Sequence, residues 1–572
     1  MLAKQVQNTL FFDKKIVLKA NKILTKKRKV TFKAYSQDQQ FLLPKNIDDF
    51  ISEGHIARLV SIIIDKMNVQ FIIETYKGGG ASAYDPRMLL KSWILGFINR
   101  VYSCRLIAKN LRENLAFIWI SGNQTPDFHT LNNFRLKLKD DIKKVFKQII
   151  LYGIEAGMIK REDVFVDHTK TEANANKHKV VWKKQVERQS VKIDAELDEL
   201  FRFIDEINED EEKTFGNKDL PEQERSGFND EKVQEVIEKI NRNVKEEKFS
   251  KEDGKEQRSK VRRTKELLER KRNYELKKQV LNGRNSFSKT DPDAVAMMMK
   301  DKLTIRPAYN EGIAVENGFV LNYVVDDNCG DSVSFIPLME GVIENIEGIP
   351  ENANSDGAYG SEENHSFLEE KKIGNFLKFN SYHKEKSKVW REKKFRLDDF
   401  SYNEEKNEFV CKNGEVLSFL EEKEHVTKTG FKQTISVYKA SDGVCTSCPL
   451  RQKCTTALSA RALQVNWNAE RLKRQARENL NSGKGKELRK RRGNEVESVF
   501  GDQKLNKLKR RYHLRGLLKV KLEAGLYYAA HNVRRMHKIS QLEGKREELS
   551  RGRTGFDSVG ISVNAIYARL AF

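Results

Sequence analysis

Residues Arg491 to Gly516 read RRGNEVESVFGDQKLNKLKRRYHLRG, a basic stretch with one amphipathic pattern. Its apolar residues recur at spacings that suit a helix better than a strand; they are Val496, Val499, Phe500, Leu505 and Leu508. Glu497 and Lys504 stand seven residues apart, about two helical turns, so they would share one face. A carboxylate facing an anionic partner there needs a reason, and holding a metal ion is one. Glu495, on the other side of the helix, is the competing acid, and the spacing to Lys504 favours Glu497.

The composition of the chain favours a polyanionic partner. Its 572 residues include 106 Lys and Arg against 83 Asp and Glu, a formal net charge of +23. Nucleic acid is the leading candidate for such a charge, although many basic proteins are simply soluble and sticky. The first residues lack the apolar core of a secretory signal, and no run of about 18 apolar residues predicts a membrane span. Six cysteines do not make a disulfide scaffold in so long a chain, so we expect a reducing cytoplasm.

A helical region is predicted at residues 41–155, after a basic leader at 1–40. Pro86 opens an apolar pattern of helical period, as Pro does in the first turn of a helix. A later helical run carries Arg105 and Lys109 beside Leu and Ile residues. A bundle of short helices with exposed Arg and Lys is typical of DNA-binding modules, and a plain helical domain is the alternative.

Two further acids fall where strand patterns give way. Val164-Phe165-Val166-Asp167 is a short β-rich run, and we expect Asp167 at the end of a buried strand. Asp356 lies in the glycine turn SDGAYG, between a strand region and a helix. Carboxylates at strand ends gather where ligands bind in α/β folds, whereas an acid that caps a turn is the plain alternative. Together the two acids predict a site on one rim of a sheet.

Residues 184–280 form an insert dense in Glu, Lys and Arg, with apolar residues at helical spacing. This pattern predicts two long helices separated by a loop at 215–229, in a spacer or dimer-contact role. Strand patterns resume after the insert. Asn317-Gly318 separates two apolar runs and predicts a two-residue β-hairpin turn.

Four of the six cysteines have the spacing of metal ligands. Cys445, Cys448 and Cys454 form a C-x2-C-x5-C pattern, and a hairpin-like segment before them would bring Cys411 alongside. Thiolates so spaced can hold one tetrahedral ion, so we expect a structural Zn²⁺ site. Unrelated reduced cysteines in a loop are the alternative.

These motifs together resemble the DDE transposases of bacterial insertion sequences, which catalyse on a ribonuclease-H-like fold. The resemblance rests on the helical region opened by DPR, DHTKTEANANK after the first strand, RPAYN, SDGAYGSEEN, the cysteine cluster, and EVESVFGDQK through RYHLRG. It covers most of the chain, and the combination is far more specific than any one motif. It implies that Asp167, Asp356 and Glu497 are the catalytic, metal-binding residues.

Some of the predicted DNA contacts come from the resemblance, and the others come from the basic stretches of the sequence itself. Lys504 matches the Lys of the family's E-x6-K motif, and it would touch the phosphate backbone as a point charge. The family often has an Arg four residues before the Glu, where this chain has Gly493; the preceding Arg492 is the candidate substitute. The predicted DNA contacts are Lys504, Arg492, Arg511, Arg515, Arg105 and Lys109.

The chemistry of DNA cutting agrees with such a carboxylate triad. It needs a nucleophilic oxygen, a stabilised leaving oxygen and in-line geometry, which two Mg²⁺ (or Mn²⁺) ions about 3.5 to 4 Å apart can supply. Hard cations call for oxygen ligands, and three carboxylates meet that need. In the expected arrangement Asp167 bridges both ions, while Asp356 and Glu497 each hold one. One ion would activate water and later the freed 3′-hydroxyl, and the other would stabilise the departing oxygen.

The implied fold class is α/β, a ribonuclease-H-like mixed sheet with flanking helices. The catalytic domain would occupy 156–183, 281–400 and 461–540, with a cysteine-rich probable zinc-binding insert at 401–460 and a tail at 541–572. The expected function is to bind the terminal inverted repeats of a mobile element, cut the strands and transfer them to target DNA. We expect a homodimer in the bacterial cytoplasm, associated with the nucleoid. A DNA-binding protein without catalysis and a nuclease that only hydrolyses are the alternatives, and the intact acid triad argues against the first.

Overall fold

The computed structural model describes residues 46–76, 82–215, 238, 251–388, 390, 395–457 and 459–551 of the chain. Beyond a 3₁₀ turn at Ile47–Phe50, the chain forms the predicted helical region. Its helices are α1 (Ile56–Lys66), α2 (Gln70–Ile73), α3 (Pro86–Ile98), α4 (Cys104–Glu113), α5 (Leu115–Ile120), α6 (Phe128–Lys137) and α7 (Ile142–Glu155). Asp85 caps α3 by accepting hydrogen bonds from the N–H groups of Arg87 and Met88, and Pro86 takes the first helical position as predicted.

The rest of the described chain mixes strands and helices, which confirms the α/β prediction. The strands are β1 (Asp163–Glu172), β2 (Val180–Trp182), β3 (Ser286–Ser288), β4 (Val295–Met298), β5 (Ile305–Glu316), β6 (Phe319–Asp326), β7 (Asn352–Ser355), β8 (Gly374–Leu377), β9 (Ser401–Asn403), β10 (Glu408–Val410), β11 (Val416–Val426), β12 (Lys432–Ala440) and β13 (Ala462–Val465). The further helices are α8 (Lys183–Phe215), α9 (Lys251–Leu281), α10 (Phe335–Ile346), α11 (Glu362–Glu370), α12 (Arg451–Cys454), α13 (Trp467–Asn481), α14 (Gly483–Gly501) and α15 (Leu517–Arg551).

Strand β1 lies in the middle of the main sheet, whose order is β6-β5-β1-β7-β8. On one side β5 pairs antiparallel with β1, and β6 pairs antiparallel with β5. On the other side β7 and β8 run parallel to β1, and helices α10 and α11 make the connections that parallel pairing requires. Strand β4 pairs antiparallel with the first residues of β5.

The prediction that Asp167 ends a strand is wrong, because β1 continues to Glu172. The continuation reads HTKTE, whose polar composition does not suggest a buried strand. Thr169 and Thr171 are nevertheless buried, because both face polar partners inside the protein. Asp167 therefore stands in the middle of the central strand, where both neighbouring strands can fix its position.

The predicted hairpin turn at Asn317-Gly318 joins β5 to β6. The φ angles of Asn317 and Gly318 are 52° and 75°. Two successive residues with positive φ fit the tight turn whose twist matches that of paired strands. Both residue types tolerate this left-handed backbone, which is why the dipeptide was a usable signal.

The insert is a pair of long helices, α8 and α9, as predicted. Their contact surface is a small apolar core of Ile193, Leu197, Val261, Leu267 and Leu268. From residue 216 onward the predicted connecting loop lies outside the described residues. The chain enters the insert through β2 and leaves it through β3, and these two short strands pair antiparallel, with Trp182 opposite Ser286.

The cysteine-rich region forms a second, five-stranded sheet in the order β13-β12-β11-β10-β9. Its strands are antiparallel, so the predicted hairpin-like arrangement of residues 409–438 is confirmed. Phe409, Leu417, Tyr438 and Leu463 form its core. Helices α13 and α14 then lead back to the main sheet, and α15 packs on it. Helix α15 runs through residue 540, so the predicted boundary of the tail at 541 falls inside a helix.

Two carboxylates are buried where α15 meets the main sheet. Glu311 of β5 accepts hydrogen bonds from Thr171 Oγ1 at 2.6 Å and from the Tyr528 hydroxyl at 2.7 Å. Glu523 of α15 lies 3.8 Å from the buried Lys509 ammonium. Burial raises the pKa of both carboxyls, but Lys509 and the hydrogen bonds outweigh it, so both pKa values stay below their ordinary values. The network is therefore ionised at neutral pH.

We expect this network to make the fold sensitive to acid. A carboxyl whose pKa is lower in the folded state contributes stability above its unfolded pKa and loses it as the pH falls. The free energy of unfolding should therefore fall as the pH is lowered from about 6 to about 3. Glu311→Gln should cost about 3 kcal/mol at neutral pH and flatten this dependence. Urea denaturation of both proteins across this range measures it; parallel pH curves would contradict the assignment.

Candidate active site

Asp167 and Asp356 meet at the edge of the parallel part of the main sheet. Phe165 of β1 and Asn354 of β7 are paired neighbours, and each acid stands two residues further along its strand direction. Equal steps along neighbouring parallel strands bring two residues to the same level. The two acids therefore lie side by side at one rim of the sheet, as predicted. Asp356 follows the end of its strand, whereas Asp167 lies in the middle of β1.

The Arg492 guanidinium lies against both acids. Its Nη2 atom is 3.5 Å from Asp167 Oδ2 and 3.7 Å from Asp356 Oδ2, so these two oxygens are at most 7.2 Å apart. Arg492 belongs to α14, the helix that carries Glu497. Arg492 was predicted from the sequence as a DNA contact. In the structure its guanidinium instead contacts the two acids.

The two acids differ in their surroundings. Burial raises the pKa of Asp167, and the Asp356 charge adds to this effect, against the opposing pull of Arg492, the His168 N–H and Lys300. Asp356 is more exposed, with 42 % of its side chain accessible against 18 % for Asp167. Its carboxylate accepts a hydrogen bond from Ala358 N at 3.0 Å, which holds it at the start of a 3₁₀ turn. A cation between the two carboxylates would relieve their repulsion.

The two candidate acids of α14 have different roles in the structure. Glu495 accepts a hydrogen bond from Gly318 N at 2.8 Å and lies 3.7 Å from Arg491. It therefore braces the β5–β6 turn against the helix, and both of its carboxylate oxygens already have partners. Glu497 is exposed. This difference supports the choice of Glu497 that the spacing to Lys504 favoured.

Helix α14 passes into one π-helical segment, Asp502–Asn506, that the sequence did not indicate. Gln503 is fully buried there and donates to both oxygens of Glu311. Lys504 also turns inward, and its ammonium donates to Thr169 Oγ1 and to the Lys170 carbonyl at 3.0 Å. Burial is the main cause that lowers the pKa of Lys504 to about 8. Such single-turn π segments occur frequently at functional sites.

His168 and Tyr359 form a buried brace behind the two acids. His168 follows Asp167, and its Nδ1 atom lies 2.5 Å from the Tyr359 hydroxyl, three residues after Asp356. Gly312, opposite His168 on β5, leaves room for the imidazole, because a Cβ there would overlap the ring. Sequence reasoning missed this brace. The available signal was a glycine inside an otherwise strand-like run, which indicates close approach of another group.

We expect Gly312→Ala to lower the free energy of unfolding by about 2 kcal/mol, because the new methyl group overpacks against the imidazole. His168→Ala should reduce this penalty when the two changes are combined. Gly493→Ala is the matched control: nothing lies within 4 Å of its added Cβ, and a helical Ala should stabilise by about 0.5 to 1 kcal/mol. Thermal or urea denaturation of the four variants tests this. Additive effects of the two changes would rule out the contact as the cause.

The other predicted DNA contacts fall into two groups. Arg511 donates to the Ala173 and Ala175 carbonyls, and Arg515 donates to the Asn174 carbonyl. These two side chains hold the segment after β1 in place, so their guanidinium groups are largely engaged. Arg105 and Lys109 lie exposed on α4 and remain free to meet a phosphate backbone, apart from contacts to Phe128 and Glu113.

All four predicted zinc ligands line one small cavity of about 30 Å³; they are Cys411, Cys445, Cys448 and Cys454. Burial raises the pKa of the Cys454 thiol, and the other three sulfurs raise it further against the pull of Arg461. Among the residues that the structure describes, no three Cys, His, Asp or Glu side chains already stand in a metal-ligand arrangement. Neither the four thiols nor the three acids form such an arrangement.

None of the described helices has the length and apolar character needed to cross a bilayer.

Two models of known protein families match parts of the chain. Residues 410–537 match the family model described as "Transposase DDE domain", a range that includes the cysteines and Glu497. Residues 45–137 match "Transposase domain (DUF772)", a range within which α1 to α6 lie. No curated protein and no solved structure matches the chain significantly. The two transposase domain matches together support the identification of this chain as a DDE transposase of an insertion sequence.

Proposed function

We propose that this transposase binds the terminal inverted repeats of its element, cuts the strands there and transfers them to target DNA. The observation that carries the proposal is the meeting of Asp167 and Asp356 at one guanidinium, on the helix that also presents Glu497. The two acids lie on neighbouring parallel strands, at one partly exposed rim of the sheet. Ligands of α/β sheets bind at such places.

The order of the main sheet supports a ribonuclease-H-like catalytic domain. In chain order, its first strand is central, the second and third form an antiparallel meander on one side, and the last two run parallel on the other. Here these strands are β1, β5, β6, β7 and β8, with the helical insert between the first and second. In such a domain Asp167 and Asp356 hold the positions of the two strand acids that the resemblance implies.

The donor set of the site fits hard divalent cations. Asp167, Asp356 and Glu497 would hold two Mg²⁺ or Mn²⁺ ions, because carboxylate oxygens are the ligands these ions prefer. When bound, the ions supply charge stabilisation and an activated nucleophile for phosphodiester cleavage. The close approach of Asp167 and Asp356 within 7.2 Å supports this assignment, since both can reach a common cation.

The basic residues of the site would orient the DNA. Arg492 lies between the two acids, and its Nε atom is buried without a hydrogen-bond partner within the described part of the chain. Its guanidinium can therefore offset the repulsion of the two carboxylates beside the bound DNA. Lys504 donates hydrogen bonds to Thr169 and Lys170 of β1. We therefore propose that it holds the π-helical segment in position beside the DNA. The exposed Arg105 and Lys109 would contact the repeat farther from the cut.

The decisive experiment uses purified full-length protein, Mg²⁺ and a DNA duplex that carries the ends of the element. Joined products support the proposal. Cut products without joining identify a nuclease that only hydrolyses, and a gel shift without cutting identifies a DNA-binding protein that has lost catalysis. Sedimentation of the protein–DNA complex would test the expected homodimer.

We also propose that the four cysteines hold a structural Zn²⁺ ion. They line a single cavity beside the core of the second sheet, and thiolate sets of this kind bind zinc tetrahedrally. The protein should contain about one zinc per chain. Cys448→Ser should remove the zinc and lower the melting temperature, while Cys104→Ser, a cysteine outside the cluster, should change neither. Elemental analysis and thermal denaturation measure both; full zinc content in Cys448→Ser would exclude the site.

A further inference from the structure

The turn between β4 and β5, residues 299–304, presents an exposed apolar tip. Leu303 is 87 % exposed, the highest value among the large apolar residues that the structure describes. Met298 and Ile305 are cross-strand partners at the base of this turn, and they are 54 % and 51 % exposed. Single exposed apolar residues are common, but three at one turn form a patch, and exposed apolar patches are typical of interaction sites.

The structure holds this tip rigidly. The Asp301 carboxylate accepts hydrogen bonds from Leu303 N at 2.9 Å, Thr304 N at 3.0 Å and Thr304 Oγ1 at 2.6 Å. The backbone closes the turn through Met299 N to the Thr304 carbonyl and Lys302 N to the Met299 carbonyl, each at 2.9 Å. The exposed leucine is thus fixed in one direction before any partner arrives, which lowers the entropy cost of using it.

The tip lies next to the candidate active site. Lys300 Nζ is 5.6 Å from the centre of the Phe500 ring, and Phe500 is on α14 three residues after Glu497. Lys300 and Lys302 flank the apolar tip, whereas the Asp301 carboxylate is used inside the turn. The surroundings are therefore those of a contact with a polyanion.

Resting on the proposed function, we propose that this tip is a wedge that inserts Leu303 between base pairs of the DNA beside the cleaved phosphate. Proteins that distort DNA insert Leu, Ile, Met or Phe between base steps, and the apolar surface replaces the lost stacking. Lys300 and Lys302 would bind the flanking phosphates. Opening the duplex at this point would let the strand to be cut approach Asp167 and Asp356.

The first test measures base unstacking directly and without cleavage. The duplex carries the end of the element with 2-aminopurine next to the cut, and Mg²⁺ is left out. Wild-type protein should raise the fluorescence on binding, whereas Leu303→Ser should bind within about twofold of wild type and lose the rise. Leu276→Ser, which changes a leucine that is 61 % exposed on α9, should behave like wild type.

The second test separates a wedge from a general loss of structure. With Mg²⁺, Leu303→Ser should cut fully paired DNA about tenfold more slowly than wild type. On DNA with two mismatched pairs at the cut, the variant should recover to about the wild-type rate, because these bases are already unstacked. Asp301→Ala, which keeps Leu303 but releases the turn, should give an intermediate loss.

The outcomes also separate this inference from the proposed function. Unstacking by wild type without any cutting in Mg²⁺ would support the wedge and overturn the proposed catalysis. Binding by wild type without unstacking, or equal unstacking by Leu303→Ser, would overturn the wedge alone. If Leu303→Ser instead weakens self-association in sedimentation while unstacking persists, the tip is a contact between two copies of the chain and the wedge is again overturned.

Discussion

Asp167→Asn is expected to bind the ends of the element as tightly as wild type and to lose Mg²⁺-dependent cleavage by a factor of about 10³ or more. Asn has the same shape but no charge, so it would hold divalent cations far less tightly. The Asp167 carboxyl is mostly buried and 3.5 Å from Arg492 Nη2, so its removal leaves that guanidinium with Asp356. The structure around it should therefore persist.

The measurement combines a gel shift with cleavage of end-labelled DNA. Asp163→Asn is the matched control, since Asp163 lies on the same strand and is buried against Arg491 at 2.7 Å and Asn352 at 2.9 Å. It should lower the melting temperature because an ion pair is lost, but cleavage by the folded protein should continue. Full cleavage by folded Asp167→Asn would refute the assignment of this acid.

Glu497→Gln and Glu495→Gln should have opposite consequences, although only one residue separates the two positions. Glu497 is exposed, so Glu497→Gln should leave the melting temperature unchanged and abolish cleavage through loss of a metal ligand. Glu495→Gln should weaken the contact to Gly318 N and the ion pair with Arg491, which costs about 1 kcal/mol, and should retain cleavage.

Thermal denaturation and the cleavage assay on both variants decide between the two acids. The reverse pattern, with cleavage lost only in Glu495→Gln, would identify Glu495 as the third ligand. Loss in both would mean that the brace to the β5–β6 turn also sets the position of the catalytic helix. DNA binding should be the same in the wild type and in both variants, because neither acid supplies a positive charge or a hydrogen-bond donor to the DNA backbone.

Local signals in the sequence were enough for much of the fold. Pro86 and the Asn317-Gly318 pair act through their own backbone preferences, so the helix start and the hairpin turn could be predicted without knowing their neighbours. The order of strands in the main sheet was not predicted from local patterns. Strand ends and helical spacing drew attention to Asp167, Asp356 and Glu497, and the resemblance to a family joined them into one predicted site.

The features that escaped prediction depend on distant partners. The continuation of β1 is polar because Thr171 bonds Glu311, which lies 140 residues away in sequence. In the π-helical segment, Gln503 donates a hydrogen bond to the same Glu311, which lies 192 residues away in sequence. The role of Glu495 depends on Gly318, at a separation of 177 residues. Hydrophobic periodicity carries no information about such buried polar pairs, so only the folded chain reveals them.

The paired strands β2 and β3 have a consequence for how this protein can change over evolutionary time. Trp182 and Ser286 face each other across the pair, so their Cα atoms lie about 5 Å apart. A two-residue turn could join them and replace residues 183–285 without rethreading the main sheet. The pair of helices α8 and α9 could therefore be removed without disturbing the main sheet. Insertions are tolerated best where their two ends lie together at the surface. Loss or exchange of the helical pair would therefore leave β1 and its carboxylate in place.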